Sequence, residues 1–401
     1  MRRTNMKLIE RTDYLSELKS LVGTPDIKII TGVRRAGKSK LMDAFASALE
    51  GDKEKKNVVR VNLRLKKFES LLDGDNLYRY VNSRIVPGVD NFLIIDEIQD
   101  SSNFERIINS LYDEGVYEIY LTGSNAFLLS SDLATLFGGR TFDVHVFPFS
   151  FKEYLSYFPS TDLQTSFEAY FRKGGLSGSY LYSNDLAAKR YLEGVVRTTI
   201  VKDVVQKFRI ENEPLLNLII DFLADNVGSK TSIRNIANTL TSNRFETNNK
   251  TVGSYVDYLC RSYLFYSCVR YDLKGKRYLE SDKKYYLSDL GFRFALLGSK
   301  WMDYGHLYEN LVFLELKRRG YEVYVGILYD KEIDFVAMKE GEKLYVQVSD
   351  DITNQETFQR EIRPLLSIRD AYPKMLLART KHPEEQYEGI RVVDIAEWLS
   401  R

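Results

Sequence analysis

Cysteine and histidine are scarce, with 2 and 3 among 401 residues. Cys260 and Cys268 cannot staple a chain of this length, and the histidines offer no Cys/His zinc spacing, so a disulfide scaffold and a zinc finger are excluded. Proline (8) and glycine (24) are too few for a collagen-like, mucin-like or wholly disordered chain. Long apolar runs are missing too. The richest stretch, 215–224, contains Asn217 and Asp221, whereas a bilayer span needs ~20 apolar residues. The first ten residues are polar and lack the apolar core of a signal peptide. A cytoplasmic, reduced protein without a membrane partner is expected. An excess of one charge sign is also absent, 57 basic against 56 acidic residues, so any nucleic-acid surface must be a local patch.

What is plentiful is aromatic: 28 Tyr and 22 Phe. Thick aromatic cores are the simplest use for them and base-stacking platforms the other, and composition does not choose. The length, at ~150 residues per domain, suggests two or three domains.

The most specific signal comes early. The apolar run 27–31 reads as a buried strand. It leads into Gly32-Val33-Arg34-Arg35-Ala36-Gly37-Lys38-Ser39, a full match to G-x-x-x-x-G-K-[ST]. Leu41, Met42, Phe45, Ala48 and Leu49 then recur at helical spacing. The chemistry needs strand, glycine loop and helix together. Glycines let backbone N–H groups wrap phosphates, and the helix N-terminus adds the positive end of its dipole. Gly32, Arg34, Arg35, Gly37, Lys38, Ser39 and Lys40 are the candidate nucleotide-binding residues. Lys38 would reach the β- and γ-phosphates and the Ser39 hydroxyl would ligate Mg²⁺. Of Arg34 and Arg35, one is expected on phosphate and the other on an acidic neighbour.

The apolar strand 92–95 ends in Asp96-Glu97. This pattern holds the metal with the first carboxylate and polarises water with the second, so Asp96 is a metal candidate and Glu97 the candidate general base. A base at that position implies hydrolysis. The guanine-reading N-K-x-D is absent, which favours ATP. The strand 117–121 ends in Thr122-Gly123-Ser124-Asn125, where Ser124 or Asn125 would orient the attacking water, or merely form a turn. Arg140, after Gly138-Gly139, would stabilise transition-state charge in its own or a neighbouring subunit, or serve as a surface ion pair. For adenine, Arg11 and Tyr14 are positional candidates only.

Together Thr31 to Ser39, Asp96-Glu97-Ile98-Gln99, Thr122-Gly123-Ser124-Asn125 and Gly139-Arg140 resemble the prokaryotic AAA-type ATPases that carry a C-terminal domain of unknown function. The later segments Phe147 to Tyr154, Gly174-Gly175, Lys202-Asp203-Val204-Val205 and Tyr308-Glu309-Asn310-Leu311-Val312 agree, so the likeness spans nearly the whole chain. The resemblance implies an α/β multidomain protein. It would have a five-stranded parallel ATPase sheet, a helical lid, a winged helix and a degenerate nuclease-like α/β domain.

The residues divide accordingly into an ATPase domain (1–147), a helical lid (148–212), a winged helix (213–299) and the nuclease-like domain (300–401). In the lid, Arg172-Lys173-Gly174-Gly175 would bring a cation to phosphate or simply end a helix. In the third stretch, three helices, the second capped by Ser232, precede strands at 265–271 and 285–287. Seven basic residues (Arg261, Arg270, Lys274, Lys276, Arg277, Lys283, Lys284) face three acidic ones (Asp272, Glu280, Asp282) there. Lys250, Thr251 and Ser254 are the expected groove contacts with DNA, and Lys274, Lys276 and Arg277 the wing contacts. In the last stretch Glu309 and Asp334 match two nuclease carboxylates, but Gln347-Val348-Ser349 stands where Glu-x-Lys belongs. With no charge at Gln347 and no ammonium at Ser349, the site reads as vestigial.

The expected activity is ATP hydrolysis with Mg²⁺, coupled to DNA. The alternative is a nucleotide-gated switch with a protein partner, and an active nuclease ranks last. Homo-oligomerisation is open.

Overall fold

The computed structural model describes residues 9–51, 55–123, 136–298 and 302–401. Internal contacts divide the chain into two units, Met1–Val146 with Val201–Lys207, and Phe147–Ile200 with Phe208–Arg401.

The first unit is built on five parallel strands, β1 (Ile27–Thr31), β2 (Lys56–Asn62), β3 (Asp90–Asp96), β4 (Tyr117–Thr122) and β5 (Thr141–His145), in the order β2-β3-β4-β1-β5. The apolar runs of β1, β3 and β4 suit strands covered on both faces, and every residue of β1 is buried. Even Lys28 is fully enclosed, with Nζ 2.6 Å from the Thr24 carbonyl and 3.7 Å from Glu118. Around the sheet lie α1 (Thr12–Ser20), α2 (Lys38–Glu50), α3 (Gly74–Asn82) and α4 (Phe104–Glu114). α4 buries Phe104, Ile107, Ile108 and Leu111, the spacing of one helical face, onto a core that includes Ile27, Leu93, Ile119 and Leu77. Because all strands run the same way, the loops after β1, β3 and β4 emerge at one end of the sheet, where α/β proteins place their ligands.

The second unit carries α5 (Phe151–Tyr157), α6 (Leu163–Lys173), α7 (Asp185–Thr198), α8 (Glu213–Asp225), α9 (Ile233–Ser242) and α10 (Asn249–Arg261). The hairpin β6 (Phe265–Asp272) and β7 (Arg277–Leu287) follows, then α11 (Leu290–Leu297) and α12 (Tyr304–Arg318). Strands β8 (Glu322–Leu328), β9 (Lys331–Lys339), β10 (Glu342–Ser349), β11 (Lys374–Ala378), β12 (Glu385–Tyr387) and β13 (Ile390–Asp394) complete it, with α13 (Gln355–Leu366) and α14 (Ile395–Ser400). The Ser232 hydroxyl accepts the Asn235 N–H at 3.1 Å and caps α9.

Two features differ from the reading of the sequence. β7 begins at Arg277 rather than 285, because Asp272↔Arg277 and Tyr271↔Tyr278 extend the ladder up to the 273–276 turn. The stretches 213–299 and 300–401 share one eight-stranded mixed sheet, β12-β13-β11-β10-β9-β8-β6-β7, joined by the parallel pairing of β6 with β8. Many of the aromatics are core. Phe151, Tyr154, Phe167, Tyr170, Phe171 and Tyr180 form a continuous ring cluster, and the Tyr170 and Tyr180 hydroxyls donate to the Phe149 and Gly174 carbonyls.

Candidate nucleotide site

The loop between β1 and α2 is shaped by its glycines. At Gly32 φ is 127°, and a Cβ there would lie 2.0 Å from the Val146 carbonyl oxygen, so no side chain fits. Gly37, at φ 98°, caps α2 with no side-chain hydrogen bond, which leaves the first N–H groups of the helix for an anion. The Lys38 ammonium curls back over the loop and donates to the Gly32 and Val33 carbonyls at 2.6 and 3.2 Å. Burial pushes Lys38 down to about 8 and the nearby Arg34 adds to this, while Glu97, Asp203 and Asp96 oppose it. Ser39 and Lys40 are exposed, and Lys40 pairs with Asp43 one helical turn on, at 3.2 Å. Arg11 is a brace for the loop: it is 6% exposed, donates to the Ala36 carbonyl at 3.0 Å and lies over the Tyr14 ring.

The ends of β3 and β4 bring the carboxylates beside this loop. Asp96 is buried and accepts the Thr122 hydroxyl on one oxygen and the Asn62 amide on the other, at 2.8 Å. Glu97 adopts the left-handed region, φ 61°, a costly conformation for a non-glycine residue and one that clusters at functional sites. Its carboxylate is held by Arg64 at 2.7 Å and by the Gln99 amide at 2.5 Å. Asn62, Arg64 and Gln99 are therefore orienting residues that the sequence reading did not assign. Gln99 was legible as the end of Asp96-Glu97-Ile98-Gln99; Arg64 follows β2, the strand paired with β3, and carries no such signal.

Of the loop's two arginines, Arg34 takes the acidic partner. Its guanidinium grips Asp203 with both nitrogens, Nε–Oδ2 at 3.1 Å and Nη2–Oδ1 at 2.5 Å, and Asp203 is 1% exposed. Arg35 is exposed with φ 69°. Asn125 and Ser124 lie outside the described residues. Arg140 does not join the cluster. It precedes β5 at the N-terminal end of the sheet, where its carbonyl receives the Ile27 N–H, and its side chain pairs with Asp113 at 2.7 Å. The loop leaves β1 at the opposite end, so this arginine cannot reach phosphate in its own subunit.

In the second unit, the Gly174-Gly175 pair allows close packing. A Cβ on Gly174 would meet the Asp289 carboxylate at 1.9 Å, and the Gly175 N–H donates to Asp289 at 2.6 Å. Lys250, Lys274 and Lys276 are exposed, with Thr251 and Ser254 partly so on the same helix as Lys250. The basic excess of this region shrinks once partners are counted. Arg261 pairs with Asp257 (2.8 Å), Arg270 with Asp282 (3.7 Å), Arg277 with Asp272 (3.4 Å), and Lys284 is buried.

Lys284 is the centre of the cluster that the sequence marked as vestigial. Its ammonium lies 2.9 Å from Glu309, 3.0 Å from Glu332 and 3.8 Å from Asp334. Burial opposes its charge, but those three carboxylates outweigh it and hold the amine above its ordinary value. Lys284 and Tyr286, two residues apart, share one face of β7, and the Tyr286 hydroxyl also donates to Glu309, at 3.0 Å. Gln347 accepts the Asp334 N–H at 3.3 Å and donates to Glu361 at 3.1 Å. Glu309, Asp334 and Gln347 do come together, then, around an internal cation. Among the described residues no group of three His, Cys, Asp or Glu is arranged to hold a metal ion, and no helix is long and apolar enough to cross a membrane.

Comparison with known proteins places these observations. Residues 24–155 match the family described as AAA domain, and residues 164–303 a domain of unknown function, DUF8612. The chain is 27% identical over 352 residues to the uncharacterized protein MJ1544 of Methanocaldococcus jannaschii, covering 84% of this chain and 77% of that one. Among solved structures it is similar to the Aeropyrum pernix ORC1 protein in complex with DNA (13% identity, 74% and 94% coverage, TM-score 0.33). It is similar also to AMPPCP-bound DnaA from Aquifex aeolicus (15% identity, 62% and 86% coverage, TM-score 0.32). Likenesses of that size do not bear on what this chain does. An uncharacterized protein of Haemophilus influenzae is 35% identical over 399 residues, 98% of each chain. This chain, with its amino-terminal AAA domain, belongs to the same family as that Haemophilus protein.

Proposed function

We propose that the first unit binds ATP with Mg²⁺ and hydrolyses it, and that the second unit carries the result to DNA. One arrangement supports the ATPase reading: Lys38, Asp96 and Glu97 converge at the C-terminal ends of β1 and β3, around a loop that has no room for a side chain at Gly32. The residues fit a magnesium polyphosphate. Lys38 and the uncapped start of α2 would hold the phosphates, and Ser39 and Asp96 would hold the metal, which neutralises phosphate charge. Glu97, fixed by Arg64 and Gln99, would take the proton from water, and Lys38 would stay on the charge that develops. Asn125 is the proposed water-orienting residue, and the catalytic role proposed for Arg140 is confined to a neighbouring subunit.

For the second unit, we read α8 to β7 as a winged helix and the remainder of the sheet as a nuclease-like module without nuclease chemistry. Lys250, Lys274 and Lys276 would meet phosphate, with Thr251 and Ser254 toward a groove. A second reading, a nucleotide-gated switch acting on a protein partner, is favoured by one observation: Arg261, Arg270, Arg277 and Lys284 already have internal carboxylate partners.

Steady-state ATP hydrolysis decides between them, measured at low salt for wild type and Glu97→Gln, with duplex, single-stranded and branched DNA. Hydrolysis should fall on the order of 10²-fold or more in Glu97→Gln while ATP binding persists. Stimulation of several-fold by one DNA form supports the DNA reading. Slow turnover indifferent to every DNA moves the search to a protein partner, and turnover unchanged by Glu97→Gln refutes the assignment of the base.

A further inference from the structure

We infer that Asp203 is a positioning residue of the nucleotide site: it occupies the Arg34 guanidinium in place of a terminal phosphate and yields it when ATP binds. The inference rests on the ATPase reading above and names the device by which the site would tell ATP from ADP.

Arg34 lies within the phosphate loop, between Gly32 and Gly37, yet its fork is taken by a carboxylate from far along the sequence. A planar guanidinium suits carboxylate and phosphate alike, two parallel N–H···O bonds to either, so one can replace the other without a new geometry. Asp203 is almost fully enclosed, and burial works against the Arg34 charge that Asp203 restores. The same carboxylate also bears on Lys38 and favours its charged form. Two loop cations thus have a protein anion as counter-charge. A terminal phosphate would bring further negative charge beside Asp203, compete for the same fork and raise the cost of keeping that carboxylate buried.

The segment that carries Asp203 suits an exchange. Thr199–Val205 is wound as a π-helix, an uncommon turn frequent at functional sites, directly after α7. Thr199, Asp203 and Val204 are buried. Val201–Lys207 packs with the first unit, whereas the chain on either side of it belongs to the second. A change of partner at Arg34 therefore acts on a stretch held by covalent bonds at both ends to the other unit.

ATP and ADP affinities, measured by calorimetry with Mg²⁺ for wild type, Asp203→Asn, Arg34→Ala and the double variant, test the idea. Asp203→Asn removes the competing charge and keeps the shape. It should tighten ATP on the order of tenfold and ADP far less, raising the ATP-to-ADP preference. Arg34→Ala should weaken ATP and cancel the gain in the double variant. A preference ratio within twofold of wild type in Asp203→Asn overturns the inference, leaving a structural ion pair only. Failure of wild type to bind either nucleotide instead overturns the ATPase reading. Hydrogen exchange on the wild-type chain covers the case in which Asp203→Asn folds poorly. The amides of 199–207 should exchange faster with a non-hydrolysable ATP analogue than with ADP, and equal rates refute the exchange.

Discussion

Replacing Lys284 by methionine removes one buried charge and leaves the side-chain volume close to what it was. Glu309 and Asp334, 5% and 6% exposed, then lose their cation but each keep one donor, the Tyr286 hydroxyl at 3.0 Å and the Val348 N–H at 2.8 Å. Removing one partner of a buried ion cluster costs about 3–5 kcal/mol. The remaining donors argue for the lower end, about 3 kcal/mol at pH 8. The pH dependence has a definite sign. Burial raises both carboxyls while Lys284 pulls them down, so in the variant their folded values rise further above the unfolded ones. A carboxyl raised on folding loses stability as pH climbs from its unfolded toward its folded value, and each further unit adds up to about 1.4 kcal/mol. The deficit of Lys284→Met should therefore shrink between pH 8 and pH 5. Lys284 itself, raised on folding, contributes fully below the unfolded lysine value and adds no slope in that range. Trp398 is buried in the second unit and no tryptophan lies in the first, so its fluorescence during urea unfolding follows the right unit. Adding Glu309→Gln to Lys284→Met should recover part of the loss, because an unpaired carboxylate is what costs. A loss under about 1 kcal/mol, or a deficit equal at both pH values, would refute the view that this ammonium is the counter-ion of the cluster.

Two further outcomes follow from the same geometry. Gly32→Ala should lower ATP affinity by roughly tenfold or more with the circular dichroism spectrum retained, because its Cβ collides with the Val146 carbonyl at a left-handed φ; calorimetric affinity equal to wild type would mean the loop is not the phosphate cradle. Duplex binding, followed by fluorescence anisotropy against salt, should show a log–log slope of about −3 for Lys250, Lys274 and Lys276, not the roughly −6 of seven phosphate contacts. A slope steeper than about −5 would place the DNA surface elsewhere.

How much of the site could be read beforehand depends on whether its parts are neighbours in sequence. Residues 27–39 encode strand, loop and helix in one run, and the placement of Gly32, Lys38 and Ser39 follows from that local geometry. Asp96-Glu97 is legible for the same reason, since the two carboxylates follow directly on the apolar run 92–95. Strand 285–287 looks short in sequence because Arg277 and Tyr278 resemble turn and surface residues until Asp272 and Tyr271 pair with them.

Asp203, Arg64 and Lys284 follow another logic. Each is a charged residue whose local context suggests solvent, and each is held by a partner that the sequence alone does not pair with it. Lys284 sits in Ser281-Asp282-Lys283-Lys284, a run that counts toward a basic surface, and only the alternation with Tyr286 hints that it faces inward. Charge counting assumes that every lysine reaches water. Here the assumption fails for Lys284, and the same error inflates the apparent DNA surface. The two corrections are one fact: the carboxylates at 309, 332 and 334 drew a cation inward, and the patch lost it. At the nucleotide site the direction reverses, with Asp203 drawn onto a loop cation, so in both units the decisive pairings join residues distant in sequence that periodicity could not match.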